Sequence, residues 1–84
     1  MYTLVYTNRA EKDIKKLAPE IKKRIGQALS RYKQDPYGYS ETLIDAKLGT
    51  YRFRIGDYRV VFDIEGSNIV VLRVGHRRDI YRRL

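Results

Sequence analysis

An α+β fold is predicted, with two N-terminal helices packed on one face of a small, mainly antiparallel sheet in the order β-α-α-β-β-β. Three observations predict it. Residues 21–32 carry apolar side chains at helical spacing, residues 51–62 alternate apolar and polar side chains in two runs joined by Gly56-Asp57, and residues 69–74 hold a further run rich in β-branched residues. A stripe of period 3.6 and strands of period 2 bury their apolar sides together when helices form one layer on a sheet.

Each element follows in order. Tyr2-Thr3-Leu4-Val5-Tyr6 reads as a short opening strand, rich in β-branched and aromatic residues. Asn8 suits a helix cap, with Glu11 three positions on, and Ala10, Ile14, Leu17 and Ala18 fall on one stripe. Pro19 suits the first turn of a second helix, in which Ile21, Ile25, Ala28, Leu29 and Tyr32 share a face. Lys22, Lys23, Gln27, Ser30, Arg31 and Lys33 cover its other side. Asp35-Pro36-Tyr37-Gly38 ends that helix, since the residue before proline avoids the helical region. From Tyr39 to Gly49 only Leu43, Ile44 and Leu48 stand out as apolar points. Two arginine-bearing strands follow, then a turn at Glu65-Gly66-Ser67-Asn68, a last strand from Ile69 to Val74, and a basic tail from Gly75 to Leu84.

Composition narrows the function classes. Eighty-four residues suit one domain spanning 1–84, with a single modest core. There is no cysteine and one histidine, so neither a disulfide framework nor a metal centre is expected, and no cofactor is implied. The longest aliphatic run, Ile69-Val70-Val71-Leu72, is far too short to cross a bilayer, and residues 1–20 lack a signal-peptide core. A cytoplasmic protein without membrane contact is expected. The net charge of +8 favours a polyanionic partner. Residues 43–84 hold eight arginines and only Lys47, whereas residues 1–42 hold six lysines and three arginines. Arginine's planar fork fits phosphate bidentately, so the C-terminal half is the expected recognition surface.

Within that half, Tyr51-Arg52-Phe53-Arg54-Ile55 and Tyr58-Arg59-Val60-Val61-Phe62 flank a two-residue Gly56-Asp57 link. A tight hairpin there pairs Ile55 with Tyr58 and Arg54 with Arg59, so Arg52, Arg54 and Arg59 project from one face. Like charges directly opposite destabilise a ladder, and a sheet that keeps them has a use for an anion. Tyr51, Phe53, Tyr58, Val60 and Phe62 take the other, helix-facing side. A second turn centred on Gly66-Ser67 pairs Arg59 with Val74 and Val61 with Leu72, which brings His76 to the arginine face unless a bulge intervenes, Gly75 being a plausible site. Arg73 then falls on the opposite parity and is expected to snorkel or to pair with an acid. Asp63 and Asp79 are candidates to neutralise neighbouring arginines. Arg78, Arg82 and Arg83 fit either a solvated tail or a landing patch for RNA or an acidic protein.

Tyr51-Arg-Phe-Arg-Ile-Gly-Asp-Tyr-Arg-Val-Val-Phe62, followed by Val74-Gly-His-Arg-Arg-Asp-Ile-Tyr81, resembles the RelE branch of the RelE/ParE toxins. The opening strand, the paired helices and the Asp35-Pro36 break match as well, so the resemblance covers nearly the whole chain. It implies a ribosome-dependent, metal-independent mRNA endonuclease, the toxin component of a toxin-antitoxin system, held inactive by a RelB-like antitoxin. The substrate's own 2′-OH would attack the adjacent phosphate. By motif, Arg52 and Arg54 match the basic pair of the first strand, Arg59 the arginine of the next, Arg77 the arginine after Val74-Gly75, and Tyr81 the C-terminal aromatic that stacks on a base. Lysines stand in the best-studied branch where this chain has Arg52 and Arg54. A guanidinium stays protonated and makes a poor general base, so His76 becomes the candidate for proton transfer. The catalytic set is thus Arg52, Arg54, Arg59, His76, Arg77 and Tyr81, and Arg78, Arg82 and Arg83 extend the RNA-binding set. The alternatives are a ParE-like inhibitor of DNA gyrase without nuclease activity, or a degenerate relative that only binds RNA or an antitoxin.

Overall fold

A computed structural model describes residues 2–43 and 49–80. Its elements are β1 (Thr3–Tyr6), α1 (Asn8–Lys15), α2 (Pro19–Tyr32), α3 (Pro36–Tyr39), β2 (Glu41–Thr42), β3 (Tyr51–Ile55), β4 (Tyr58–Glu65) and β5 (Asn68–His76). The sheet runs β1-β5-β4-β3-β2, antiparallel except for the β1–β5 pair. This is the predicted α+β layering, with β2 as an additional edge strand.

The Gly56-Asp57 link sets the register. Gly56 takes φ +59°, a conformation that costs an L side chain energy, and the tight turn holds Ile55 opposite Tyr58 and Arg54 opposite Arg59 as expected. Alternation from that fixed point sends Phe53, Val60 and Phe62 to the helix face. There they are fully buried with Ile69, Val71 and Val74 against Ala10, Ile25, Ala28 and Leu29. The Phe53 and Phe62 rings stack with centroids 4.2 Å apart. Tyr51 and Tyr58 pack on the margin of the same cluster. Burying each large apolar side chain contributes about 1.5–3 kcal/mol, so this face holds the sheet and helices together.

Several expectations are corrected. Thr7, not Asn8, caps α1: its Oγ1 accepts from the Ala10 N–H at 3.1 Å, while Asn8 is already helical. α1 stops at Lys15, so Leu17 lies between the helices and Ala18 becomes the N-cap of α2, one position before Pro19. Asp35-Pro36-Tyr37-Gly38 does end α2, but it also starts α3, because the Asp35 carboxylate accepts from the Gly38 N–H at 3.1 Å. The apolar points Ile44 and Leu48 lie outside the described residues.

The largest correction is in β5. Near the Gly66-Ser67 turn the register is as expected, with Glu65 opposite Asn68 and Phe62 opposite Val71. Between Phe62 and Val61 the register shifts by one residue, so Val61 faces Arg73, Arg59 faces Gly75 and Tyr58 faces His76. One extra residue on β5 is a bulge, and it inverts side-chain parity for everything beyond it. The bulge lies at Leu72-Arg73 rather than at Gly75.

Candidate nucleic-acid interface

Arg52 and Arg54 do project from the sheet face opposite the helices. Between them stands a carboxylate that sequence reasoning did not single out. Glu41 of β2 pairs with Arg52 in the ladder, and its Oε2 lies 3.5 Å from Arg52 Nη2 while its Oε1 lies 3.5 Å from Arg54 Nη1. The only signal for it was one of two acids, Glu41 and Asp45, in an aperiodic stretch, and a two-residue strand is too short to read from alternation. Two guanidiniums bracketing one exposed carboxylate form an anion-sized site already holding an anion.

Arg59 behaves differently. It is 5% exposed, and its Nη1 donates to the carbonyls of Gly56 at 2.9 Å and Tyr58 at 2.8 Å. The cost of placing Arg54 opposite Arg59 is thus relieved in opposite directions, one guanidinium turning to Glu41 and the other to the hairpin carbonyls. The chain after β5 comes close to the ladder partner of Arg59. Gly75 faces Arg59 across the ladder, and a Cβ on Gly75 would meet the Ile80 Cβ at 3.8 Å. Ile80 is 1% exposed, so the turn at residues 77–80 folds back over the arginine face at this point. A second apolar contact covers the same face farther along, where Gly49 sits so close that a Cβ would lie 2.5 Å from Val61 Cγ1.

His76 does not join the arginine face. Paired with Tyr58 beyond the bulge, it sits on the helix side of the sheet, its ring edge-on to Tyr58 at 5.4 Å. Its Nδ1 accepts from the Arg78 N–H at 3.1 Å, so in the neutral ring the proton resides on Nε2. His76 lines a cleft of about 260 Å³ with Asp13, Lys16, Tyr58, Arg73 and Asp79. Arg77 stands at the rim between the two faces, exposed, with its N–H donating to the Asp57 carbonyl at 2.7 Å and its Nε 3.6 Å from the Asp57 carboxylate. Arg78 is exposed as well. Tyr81, Arg82 and Arg83 lie outside the described residues.

Of the two expectations for Arg73, pairing with an acid is the one observed, though not for the parity reason first given. Its Nε donates to Asp13 Oδ2 at 2.8 Å, and the same oxygen accepts from the Val74 N–H at 3.0 Å. β1 pairs with β5 only as far as Tyr6 opposite Val71, and the carboxylate from α1 takes over where that ladder ends. Asp63 accepts from the Thr50 N–H at 2.7 Å and so anchors the approach to β3.

Residues 4–81 match the family described as the ParE toxin of type II toxin-antitoxin system, parDE. The chain is similar to the toxin RelG of Mycobacterium tuberculosis, 36% identical over 98% of both chains. It is similar also to the toxin RelE3 of Methanocaldococcus jannaschii, 33% identical over 83% of this chain and 84% of that one. Among solved structures, a chain of the toxin-antitoxin complex RelBE2 from Mycobacterium tuberculosis aligns with a TM-score of 0.75 and 33% identity, over 90% of this chain and 98% of that chain.

Proposed function

The chain belongs to the RelE/ParE superfamily of type II toxin-antitoxin toxins, and from that premise we propose that it is a ribosome-dependent mRNA endonuclease of the cytoplasm, restrained by a RelB-like antitoxin. The observation that carries this reading is the Arg52–Glu41–Arg54 cluster on the open sheet face. Gyrase inhibition gives no reason for a fixed pair of phosphate-sized donors with a carboxylate between them.

The chemistry follows from those groups. A substrate phosphate entering between Arg52 and Arg54 displaces the Glu41 carboxylate from its two guanidiniums. Glu41 then stands beside the phosphate as a proton acceptor, which removes the difficulty that arginine cannot act as a base. The 2′-OH gives its proton to Glu41 and its oxygen bonds to the adjacent phosphorus. The P–O5′ bond breaks, leaving a 2′,3′-cyclic phosphate, and the O5′ atom takes up a proton. Arg52 and Arg54 stabilise the added negative charge on the phosphorane without reorganising. Arg59 holds the hairpin shape from beneath, and Arg77 at the rim takes a flanking phosphate. His76, on the helix side of the sheet, is left out of these transfers, and O5′ takes its proton from solvent. Tyr81 is assigned the stacking of a codon base, and Arg78, Arg82 and Arg83 the contacts to RNA beyond the site.

The alternative is the ParE-like inhibition of DNA gyrase that the sequence resemblance implies, and one experiment separates the two. A defined mRNA is incubated with purified protein, with and without programmed ribosomes, and cleavage is mapped at nucleotide resolution. Cuts confined to the decoding-site codon and dependent on ribosomes are expected. If no cut appears in either condition while DNA supercoiling is blocked, the nuclease reading fails.

A further inference from the structure

The two-residue link that fixes the β3–β4 register also touches two arginines, one through each of its residues. The Gly56 carbonyl accepts from Arg59 Nη1 at 2.9 Å, and the Asp57 carbonyl accepts from the Arg77 N–H at 2.7 Å. Asp57 engages Arg77 a second time, with a carboxylate oxygen 3.6 Å from Nε. Arg77 directly follows His76, the last residue of β5, so the backbone bond holds the start of the C-terminal turn against the hairpin. The carboxylate is not needed for the turn itself. Gly56 supplies the positive φ, and among the described residues the Asp57 side chain bonds no backbone group of its own link. Its partner is Arg77.

That pairing selects which edge of the guanidinium is offered to a ligand. Arginine grips an oxyanion side-on, through Nε and one Nη, or end-on, through both Nη groups. With Asp57 at Nε, the end-on edge is the one left, and among the described residues no other acid pairs with this guanidinium. The two side chains are 53% and 65% exposed, so the pair adds little to stability and its effect is on direction. The same carboxylate also repels an incoming phosphate. In water, removing one charge about 4 Å away strengthens anion binding by at most about fivefold. Misplacing a group that must meet the transition state costs more, up to about 100-fold for a shift of ~1 Å. Attraction therefore decides simple RNA binding, and direction decides the reaction.

We propose that Asp57 is a positioning residue for RNA cleavage, holding Arg77 so that the outer edge of its guanidinium meets the phosphate flanking the scissile bond. This rests on the nuclease reading, in which Arg77 takes that phosphate, and extends the site to the tip of the β3–β4 hairpin.

Asp57→Asn tests it, since asparagine keeps the size and the turn tolerance of the residue and removes its charge. With protein in excess over programmed ribosomes, the single-turnover cleavage rate at saturation is expected to fall at least about tenfold. Affinity for fluorescein-labelled 2′-O-methyl hexauridylate, which cannot be cut by 2′-OH attack, is expected to hold or to rise by up to about fivefold. The melting temperature is expected to stay with the parent's. In an Arg77→Ala background the same change is expected to add nothing, because its effect passes through that guanidinium. A hairpin that was merely disturbed would lower affinity or melting temperature along with the rate. Cleavage by Asp57→Asn at the parent's rate overturns the proposal. So does an equal loss of rate and affinity, a fall in melting temperature, or a full effect without Arg77. If the parent chain makes no cut on ribosomes, the nuclease reading fails and takes the proposal with it. If the parent cuts and the variant cuts equally well, the proposal alone falls.

Discussion

The two faces of the sheet are built from the same strands and obey different rules. On the helix face, Phe53, Val60, Phe62, Val71 and Val74 meet apolar partners from α1 and α2 and expose almost nothing. On the opposite face, Arg52, Arg54 and Arg59 alternate with them, and two local features set the guanidiniums' surroundings: β2 for the first two, the hairpin carbonyls for the third. The apolar core lies on one face and the guanidiniums on the other. The alternation of a β-strand lets one sequence serve both without conflict.

Substitutions on either face sharpen that contrast. Phe53→Ala should lose about 3–5 kcal/mol, because its ring touches Tyr32 and Phe62 in the centre of the core. For a domain of this size the melting temperature would fall by at least about 12 °C. Arg54→Ala, on the neighbouring position of the same strand, should change stability by less than about 0.5 kcal/mol while weakening RNA binding. If the two variants melt alike, the division of labour between the faces is wrong.

Glu41→Gln comes next. Its ion pairs are exposed and worth at most about 1 kcal/mol, so melting should barely move. Cleavage on programmed ribosomes should fall at least about 100-fold, since the amide cannot accept the 2′-OH proton. Unimpaired cleavage by this variant would remove Glu41 from the mechanism.

Asp13→Ala tests the seam where α1 meets β5. It strands the Arg73 guanidinium and the Val74 N–H together, for a loss of about 2 kcal/mol. Amide exchange at Val74 should accelerate in parallel, a local sign that the carboxylate stood in for a strand. The smallest effect concerns Tyr6, whose phenol is pushed above its ordinary value of 10.0 by burial. The folded state keeps that proton where the unfolded chain loses it, so the contribution is complete below about pH 10 and fades as pH rises through the raised value. Tyr6→Phe should therefore lose less stability than the parent chain between about pH 10 and 12.

Much of this architecture was legible in the sequence because it depends on local rules. The 3.6 period of residues 21–32 defines α2, the Gly56-Asp57 link fixes the β3–β4 register, and the motif of residues 51–62 and 74–81 pointed to the family that residues 4–81 match. Arg52 and Arg54 were placed correctly because they sit four and two residues from a tight turn, too near for an error in register to accumulate.

What the sequence did not determine lay farther from such fixed points. The bulge at Leu72-Arg73 transfers His76 to the helix side, and a single extra residue has no marker in the local pattern. Glu41 belongs to a strand of two residues whose existence depends on pairing with β3, a contact made across ten residues of chain. Ile80 folds over Gly75, the residue opposite the buried Arg59, and Asp13 finds Arg73 across sixty positions. Periodicity and turn chemistry act between near neighbours and can be read from order alone. Partners for charged groups, and the covering of one element by another, are fixed only when the whole chain has packed.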